Sequence, residues 1–205
     1  MLPRTWKEET KKNMNLRVEC EARALVVVML LAMTSYGVAQ VERIDARARG
    51  TSTQSGKDFD VKLTINQFST PADREALKTA FATGGHDALV KALSKMKGVG
   101  RISIPATTGV SIAYAVTIPT PTGRKVRFVT DRPLAIFEQR NMTRSQQYDL
   151  TAGEIDINEQ DKSKSAGVLY PSVKVSLNKD GQVQFDLFQN PWQLVNIMDW
   201  TPKGK

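Results

Sequence analysis

A single histidine, His86, and a single cysteine, Cys20, bound the chemistry open to this 205-residue chain. A Ser-His-Asp triad would have to use His86, and a metal site built on several histidines is excluded by the count. His86 stands between Gly85 and Asp87 and reads as a polar residue opening a helix rather than as a general base. Asp156-Ile157-Asn158-Glu159-Gln160-Asp161 resembles the start of a calcium loop, with oxygen ligands at alternate positions. An EF-hand also needs glycine at its sixth position and glutamate at its twelfth, where this chain has Asp161 and Gly167, so the segment reads as a solvated strand end. Ser94-Lys95-Met96-Lys97 has the Ser-x-x-Lys spacing of penicillin-recognising enzymes. It falls in the last turn of a helix without the companion Ser-Asp-Asn and Lys-Thr-Gly triplets. The carboxylate pairs Asp58 with Asp60 and Glu154 with Asp156 each share one strand face. A glycosidase needs its two carboxylates across a cleft instead. The expectation is a protein without catalytic residues, metal or cofactor.

Binding residues are the next candidates. Tyr114, Tyr170 and Trp192 are amphipathic aromatics of the kind that line ligand pockets as well as cores, and they are the candidate ligand-binding residues. Arg43, Arg47 and Arg49 lie on one face of a strand and are the candidate anion contacts, with Lys91, Lys95 and the Arg124, Lys125, Arg127 cluster as further basic positions. The formal net charge of +8 favours anionic neighbours such as phospholipid headgroups or an acidic envelope polymer. Aromatic residues do not interleave with these bases as they do on nucleic-acid surfaces, so nucleic acid is not an expected partner.

The apolar run from Ala24 to Met33 is too short for a comfortable bilayer span and has the length of a signal-peptide core. Arg17 and Arg23 precede it, and Gly37 and Ala39 supply small side chains for cleavage after Ala39. Residues 1–39 are therefore expected to be an export signal and 40–205 a single domain, periplasmic or extracellular; an uncleaved N-terminal anchor is the alternative. Translation from Met14 would shorten the leader only. Cys20 lies before the run, so the domain is expected to have no disulfide, no thiolate nucleophile and no lipid-modified cysteine.

The elements that would position these residues follow from periodicity. Ile44, Ala46 and Ala48 alternate with charged residues, as do Phe59, Val61, Leu63 and Ile65, which predicts a hairpin of two half-buried strands. Ser69-Thr70-Pro71 predicts a helix start, Gly84-Gly85 a stop, and Asp87 to Lys97 a second helix burying Leu89, Val90, Leu93 and Met96. From Arg101 the period is two, with Val110, Ile112, Tyr114, Val116 and Ile118 expected on one face. Pro119 to Gly123 is expected to be a long, stiff connection. Thr151-Ala152-Gly153-Glu154 is expected to turn between Tyr148 and Leu150 on one strand and Ile155 and Ile157 on the next. Val173, Val175 and Leu177 should face Leu187, Phe185 and Val183 across a three-residue loop, Lys179-Asp180-Gly181. Asn158 to Gly167 reads as a mobile loop, and Leu194 to Trp200 as a closing segment. The predicted fold is α+β: about 8–10 mostly antiparallel strands in a curved sheet or partial barrel, with a two-helix insertion after the second strand.

The segments Ile118 to Thr130, Lys164 to Pro171 and Gln189-Asn190-Pro191-Trp192 resemble a group of exported bacterial proteins of unknown function. That resemblance implies export and carries no activity or site. The first expectation is a non-catalytic exported domain holding an apolar or amphiphilic ligand or an envelope component. An envelope-structural or protein-interaction domain without a small ligand is the second, and an unfamiliar hydrolase the third.

Overall fold

The computed structural model describes residues 41–105, 107–134, 148–177, 183–188 and 190–201. The expected export segment 1–39 and the loop Lys179-Asp180-Gly181 lie outside the described residues. Nine strands are described: β1 (Glu42–Arg49), β2 (Asp58–Ile65), β3 (Gly100–Ser103), β4 (Val110–Thr120), β5 (Gly123–Thr130), β6 (Leu150–Asn158), β7 (Ala166–Leu177), β8 (Val183–Leu187) and β9 (Trp192–Asp199). One α-helical element, α1 (Pro71–Lys95), lies between β2 and β3. The lateral order β6-β5-β4-β3-β2-β1-β9-β7, together with direct pairing of β6 and β7, closes an eight-stranded antiparallel barrel. The expected curved sheet therefore closes fully, and β9 is the closing strand between β1 and β7.

Closure follows from the alternation. In β1 and β2, Ile44, Ala46, Ala48, Val61, Leu63 and Ile65 all point inward and are buried, and the hairpin pairs Glu42 with Ile65 through to Arg49 with Asp58. Val126, Phe128, Ile155, Ile157, Leu169, Trp192 and Leu194 complete the same interior cluster from the other strands. An eight-stranded barrel has an interior that side chains can fill or that can hold one small ligand. Each fully buried residue of this size contributes about 1.5–3 kcal/mol.

Four local expectations are corrected. The segment Thr151 to Glu154 is not a turn; β6 runs straight through it. Gly153 sits opposite Phe128, and a Cβ there would come within 2.3 Å of the Phe128 ring, so this glycine makes room for an aromatic side chain in a strand. The connection after Pro119 is tighter than expected: β4 extends to Thr120 and β5 begins at Gly123, leaving Pro121 and Thr122 as the turn. A register shift between Ile112 and Tyr114 turns the outer half of β4 over, so Ala115 rather than Tyr114 joins the interior. The fourth concerns the helices.

The insertion is one helical element, not a pair of separate helices. Thr70 caps it through the Asp73 N–H, while the Asp73 carboxylate accepts from Thr70 N–H at 2.7 Å, and the bonds from Thr70 hold the Asp73 carboxyl below its ordinary value. Gly84 and Gly85 leave helical geometry, Gly85 at φ 62°, and the chain resumes its helix at His86 instead of stopping. Both ends of α1 are fastened to the barrel, by Ser69 N–H to the Ala115 carbonyl at 2.8 Å and by Val99 N–H to the Ile112 carbonyl at 2.8 Å. Leu77, Leu89, Val90, Leu93 and Met96 then cover the outside of β4, β6 and β7, where Ala113, Leu150, Ala152 and Val173 form a second apolar cluster. The segment Asn158 to Gly167 is a hydrogen-bonded connection. The Asn158 side-chain oxygen accepts from Gln160 and Asp161, and Asp161 in turn accepts from Ser163, which lowers the Asp161 carboxyl pKa.

Candidate functional site

The barrel has two ends of opposite character. At the end where β4 turns into β5, Arg124 points inward, because it shares its face with Val126 and Phe128. Its guanidinium donates to Glu42 at 2.8 Å, Asp199 at 2.9 Å and Glu159 at 2.6 Å, bridging β1, β9 and the β6–β7 connection. Thr201 completes the set, its hydroxyl donating to Glu42 and its N–H to Asp199. Burial opposes the Arg124 charge, but the hydrogen bonds and charges of Glu42 and Asp199 outweigh it and raise the guanidinium pKa. Burial likewise raises the Asp199 carboxyl, yet its bonds from Thr201 and Arg124 carry it below its ordinary value. Beside this cluster, Asn158, Lys162, Ser165 and Ile197 help line a cavity of about 20 Å³. That is room for about one water molecule. The end is a polar lid, not a ligand pocket.

The other end is built differently. Thr130 and Thr151 face inward and are fully buried, and the Thr151 hydroxyl donates to the Pro171 carbonyl at 2.7 Å while accepting from Leu134 N–H at 2.7 Å. Leu134 is thereby drawn into the interior cluster as a plug. Beyond the plug, β7 runs past the last β6 pairing among the described residues. β6 pairs with it only as far as Val173, and from Val173 to Leu177 its strand partner is β8. The register is the expected one, Val173 with Leu187, Val175 with Phe185 and Leu177 with Val183. Past Val173 the row does not face a core. Leu177 is 54% exposed, Phe185 50%, Leu187 42% and Phe188 40%. Tyr170 stacks on Phe185 with centroids 6.2 Å apart, and Tyr148 meets Phe188 edge-on at 6.3 Å, so the exposed apolar patch is an ordered aromatic surface. The opposite face is polar, with Ser176 donating to Asp186 at 3.2 Å. Among the described residues, no strand pairs with the outer edge of β8.

The three candidate ligand-binding aromatics do not meet. Trp192 is fully buried inside the barrel, 4.7 Å from the Phe59 ring, whereas Tyr114 and Tyr170 pack on the outer cluster beneath α1. Tyr114 and Tyr170 lie in one cross-strand row, Tyr114-Val129-Ala152-Tyr170, which leads toward the exposed patch. Burial raises the Tyr114 hydroxyl pKa. The candidate anion contacts are on the outer face of β1, and Arg47 is already paired with Asp58 and Asp60 of β2 at 3.2 Å each. Lys125 and Arg127 are matched in the same way by Glu154, at 2.8 and 2.6 Å, and the Lys125 bond leads the lowering of the Glu154 pKa. Arg43 and Arg49 are exposed on the same strand face as Arg47. The basic rows are cross-strand ladders with carboxylates on the facing strand.

His86 stands where the helix resumes after the bend, as expected of a polar residue opening a helix, and its burial against the barrel is what the sequence did not show. It is 8% exposed, and its Nδ1 accepts the Val175 N–H at 3.2 Å. It occupies the edge of β7 that β6 no longer covers. The one available signal was the Gly-Gly pair before it, which reads as a stop but acts as a bend that aims the next side chain at the barrel. No group of three His, Cys, Asp or Glu among the described residues could hold a metal ion, and none of the described helices is long and apolar enough to cross a membrane. No protein-family model, curated protein or solved structure matches the chain.

Proposed function

We propose that this protein is a non-catalytic interaction domain, exported as its leader implies, that holds an extended segment of a partner protein along β8. The observation that carries the reading is the β7–β8 overhang. The barrel interior is lined by buried apolar side chains such as Phe128, Leu169 and Trp192, while the overhang presents half-exposed Phe185 and Leu187 on one face and, among the described residues, a strand edge that no other strand pairs with. An edge strand of this kind is a hazard unless it is blunted or used. β8 has no proline or lysine, and its one charge, Asp186, is engaged by Ser176 on its own hairpin. Strand addition supplies backbone hydrogen bonds for affinity and reads alternate side chains for specificity. The matching partner is a segment with apolar residues at every second position on the Phe185 face and polar residues on the Asp186 face.

The alternative of an amphiphilic ligand or anionic envelope polymer has less support, since Arg47 and the β5 bases are already matched. The test is a photo-crosslinking amino acid at Gln184 or Leu187 of the chain expressed in a bacterial host. Crosslinks that map to one extended peptide and vanish in Phe185→Lys are expected. Crosslinks scattered over unrelated proteins from a folded protein would overturn the reading. A small-molecule adduct in the native mass spectrum would favour ligand carriage instead.

A further inference from the structure

Among the described residues, the edge of β7 on its barrel side is closed at Val175 by a titratable side chain instead of a strand. Val175 is the position at which β7 has outrun β6, and its N–H points to His86 Nδ1 at 3.2 Å. An imidazole that accepts at Nδ1 carries its proton on Nε2 and is neutral. That Nε2 is buried and has no hydrogen-bond partner among the described residues, so the ring is held by the Nδ1 bond alone. The residues directly before it, Gly84 and Gly85, are the one place where α1 leaves helical geometry. A single-bond latch therefore sits next to a backbone hinge.

We propose that His86 is a proton-operated latch: adding a proton at Nδ1 replaces its acceptor with a donor facing the Val175 N–H, and the bend of α1 lifts from the β7 edge. The two ends of α1 stay fastened at Ser69 and Val99, so the motion is confined to the bend and the helix after it. What it uncovers is a second strand edge that, among the described residues, no other strand pairs with, on the hairpin that carries the β8 edge. The latch stands on its own geometry and does not require anything to be bound along β8.

The charged groups facing His86 come from three elements: Asp87 on α1, Asp149 just before β6, and Lys174 on β7. Burial is the largest influence and lowers the His86 pKa below 6.5, Lys174 acts in the same direction, and Asp149 and Asp87 oppose them. The closed state therefore prefers the neutral ring. Its advantage is complete above the pKa of the released histidine, near 6.5, and falls as pH drops from there toward the lower pKa of the closed state, by up to about tenfold per pH unit in that window.

The test uses the intact chain, in which His86 is the only histidine, so one imidazole resonance reports its titration without ambiguity. Amide exchange of Val175, corrected for the intrinsic rate at each pH, is followed from pH 7.5 to 5 beside that of Leu169 in the barrel. Val175 protection is expected to drop through the His86 titration, with a slope of up to about tenfold per pH unit, while Leu169 stays protected. The substitution His86→Asn puts an amide oxygen where Nδ1 lies, and that amide cannot take up a proton, so the variant is expected to lose the pH dependence of Val175. Constant Val175 protection through the measured His86 titration would overturn the latch, as would the same pH dependence in His86→Asn, or equal loss at Leu169, which would mean global unfolding.

Discussion

The two ends of the barrel solve the same problem, closing a tube of side chains, with opposite materials. The Arg124 end closes with charge: one guanidinium and three carboxylates, cross-braced by Thr201. The Thr151 end closes with a leucine plug on neutral hydroxyls, and then extends past the plug into a hairpin with aromatic residues half exposed. A charge cluster that crosses three elements fixes their relative positions and leaves no surface to share. The neutral end invests little in closure and presents a strand edge. Stability is thus concentrated at one end and contact surface at the other, and substitutions should separate the two.

The largest effect is expected at Arg124. Arg124→Met removes the cation that bridges Glu42 and Asp199, whose side chains are 10% and 12% exposed. Stranding buried carboxylates costs about 3–5 kcal/mol, to be read in urea denaturation followed by circular dichroism. A loss below about 1 kcal/mol would show that the cluster is hydrated and that the charged end is not the stable one. The same cluster sets the acid limb. Asp199 has a lowered folded pKa, so its contribution is present above the unfolded value and is lost as pH falls through the folded one. Asp199→Asn should flatten the fall in stability below about pH 4, a value set by the ordinary carboxylate range.

Next comes the neutral end. Thr151→Val keeps the shape but removes the acceptor of Leu134 N–H and the donor to the Pro171 carbonyl. Leaving buried groups unsatisfied costs about 1–3 kcal/mol, visible in the same unfolding curves. Gly153→Ala, midway along the barrel, should cost a similar ~1–3 kcal/mol, because its Cβ would fall 2.3 Å from the Phe128 ring. Combining it with Phe128→Leu, which shrinks that ring, should recover part of the loss. A double-mutant cycle with no coupling would mean the glycine is there for another reason.

These sites also show what the chain makes legible. Alternation located the β1–β2 hairpin and the β7–β8 register, because a one-residue slip there would turn a whole apolar row outward, whereas the closing strand begins at Trp192, two residues before the expected segment. Gly153 misled, since a glycine between Ala152 and Glu154 reads as a turn until the ring it accommodates is seen on the neighbouring strand. Tyr114 misled for a related reason: a single extra residue between Ile112 and Tyr114 reverses every later side chain of β4, and nothing local marks it. Arg124 and His86 were invisible as structural residues because their partners are 35 to 89 positions away in the chain. Local pattern encodes faces; it does not encode which faces close on one another.

The smallest effect on stability, and the sharpest test of the comparison, is expected on the overhang. Phe185 and Leu187 are about half exposed and lie beyond the plug, so the barrel does not depend on them. Phe185→Lys should change unfolding free energy by no more than about 0.5 kcal/mol, as for other surface positions. It places a charge on a flat strand edge, which should lower self-association as measured by light scattering. It should also abolish any partner held along β8. If Phe185→Lys instead unfolds the protein as severely as Arg124→Met, the hairpin is part of the core and the division between a stable end and a contact end fails. If it leaves stability intact and removes the partner, the overhang carries contact without contributing to the barrel's stability.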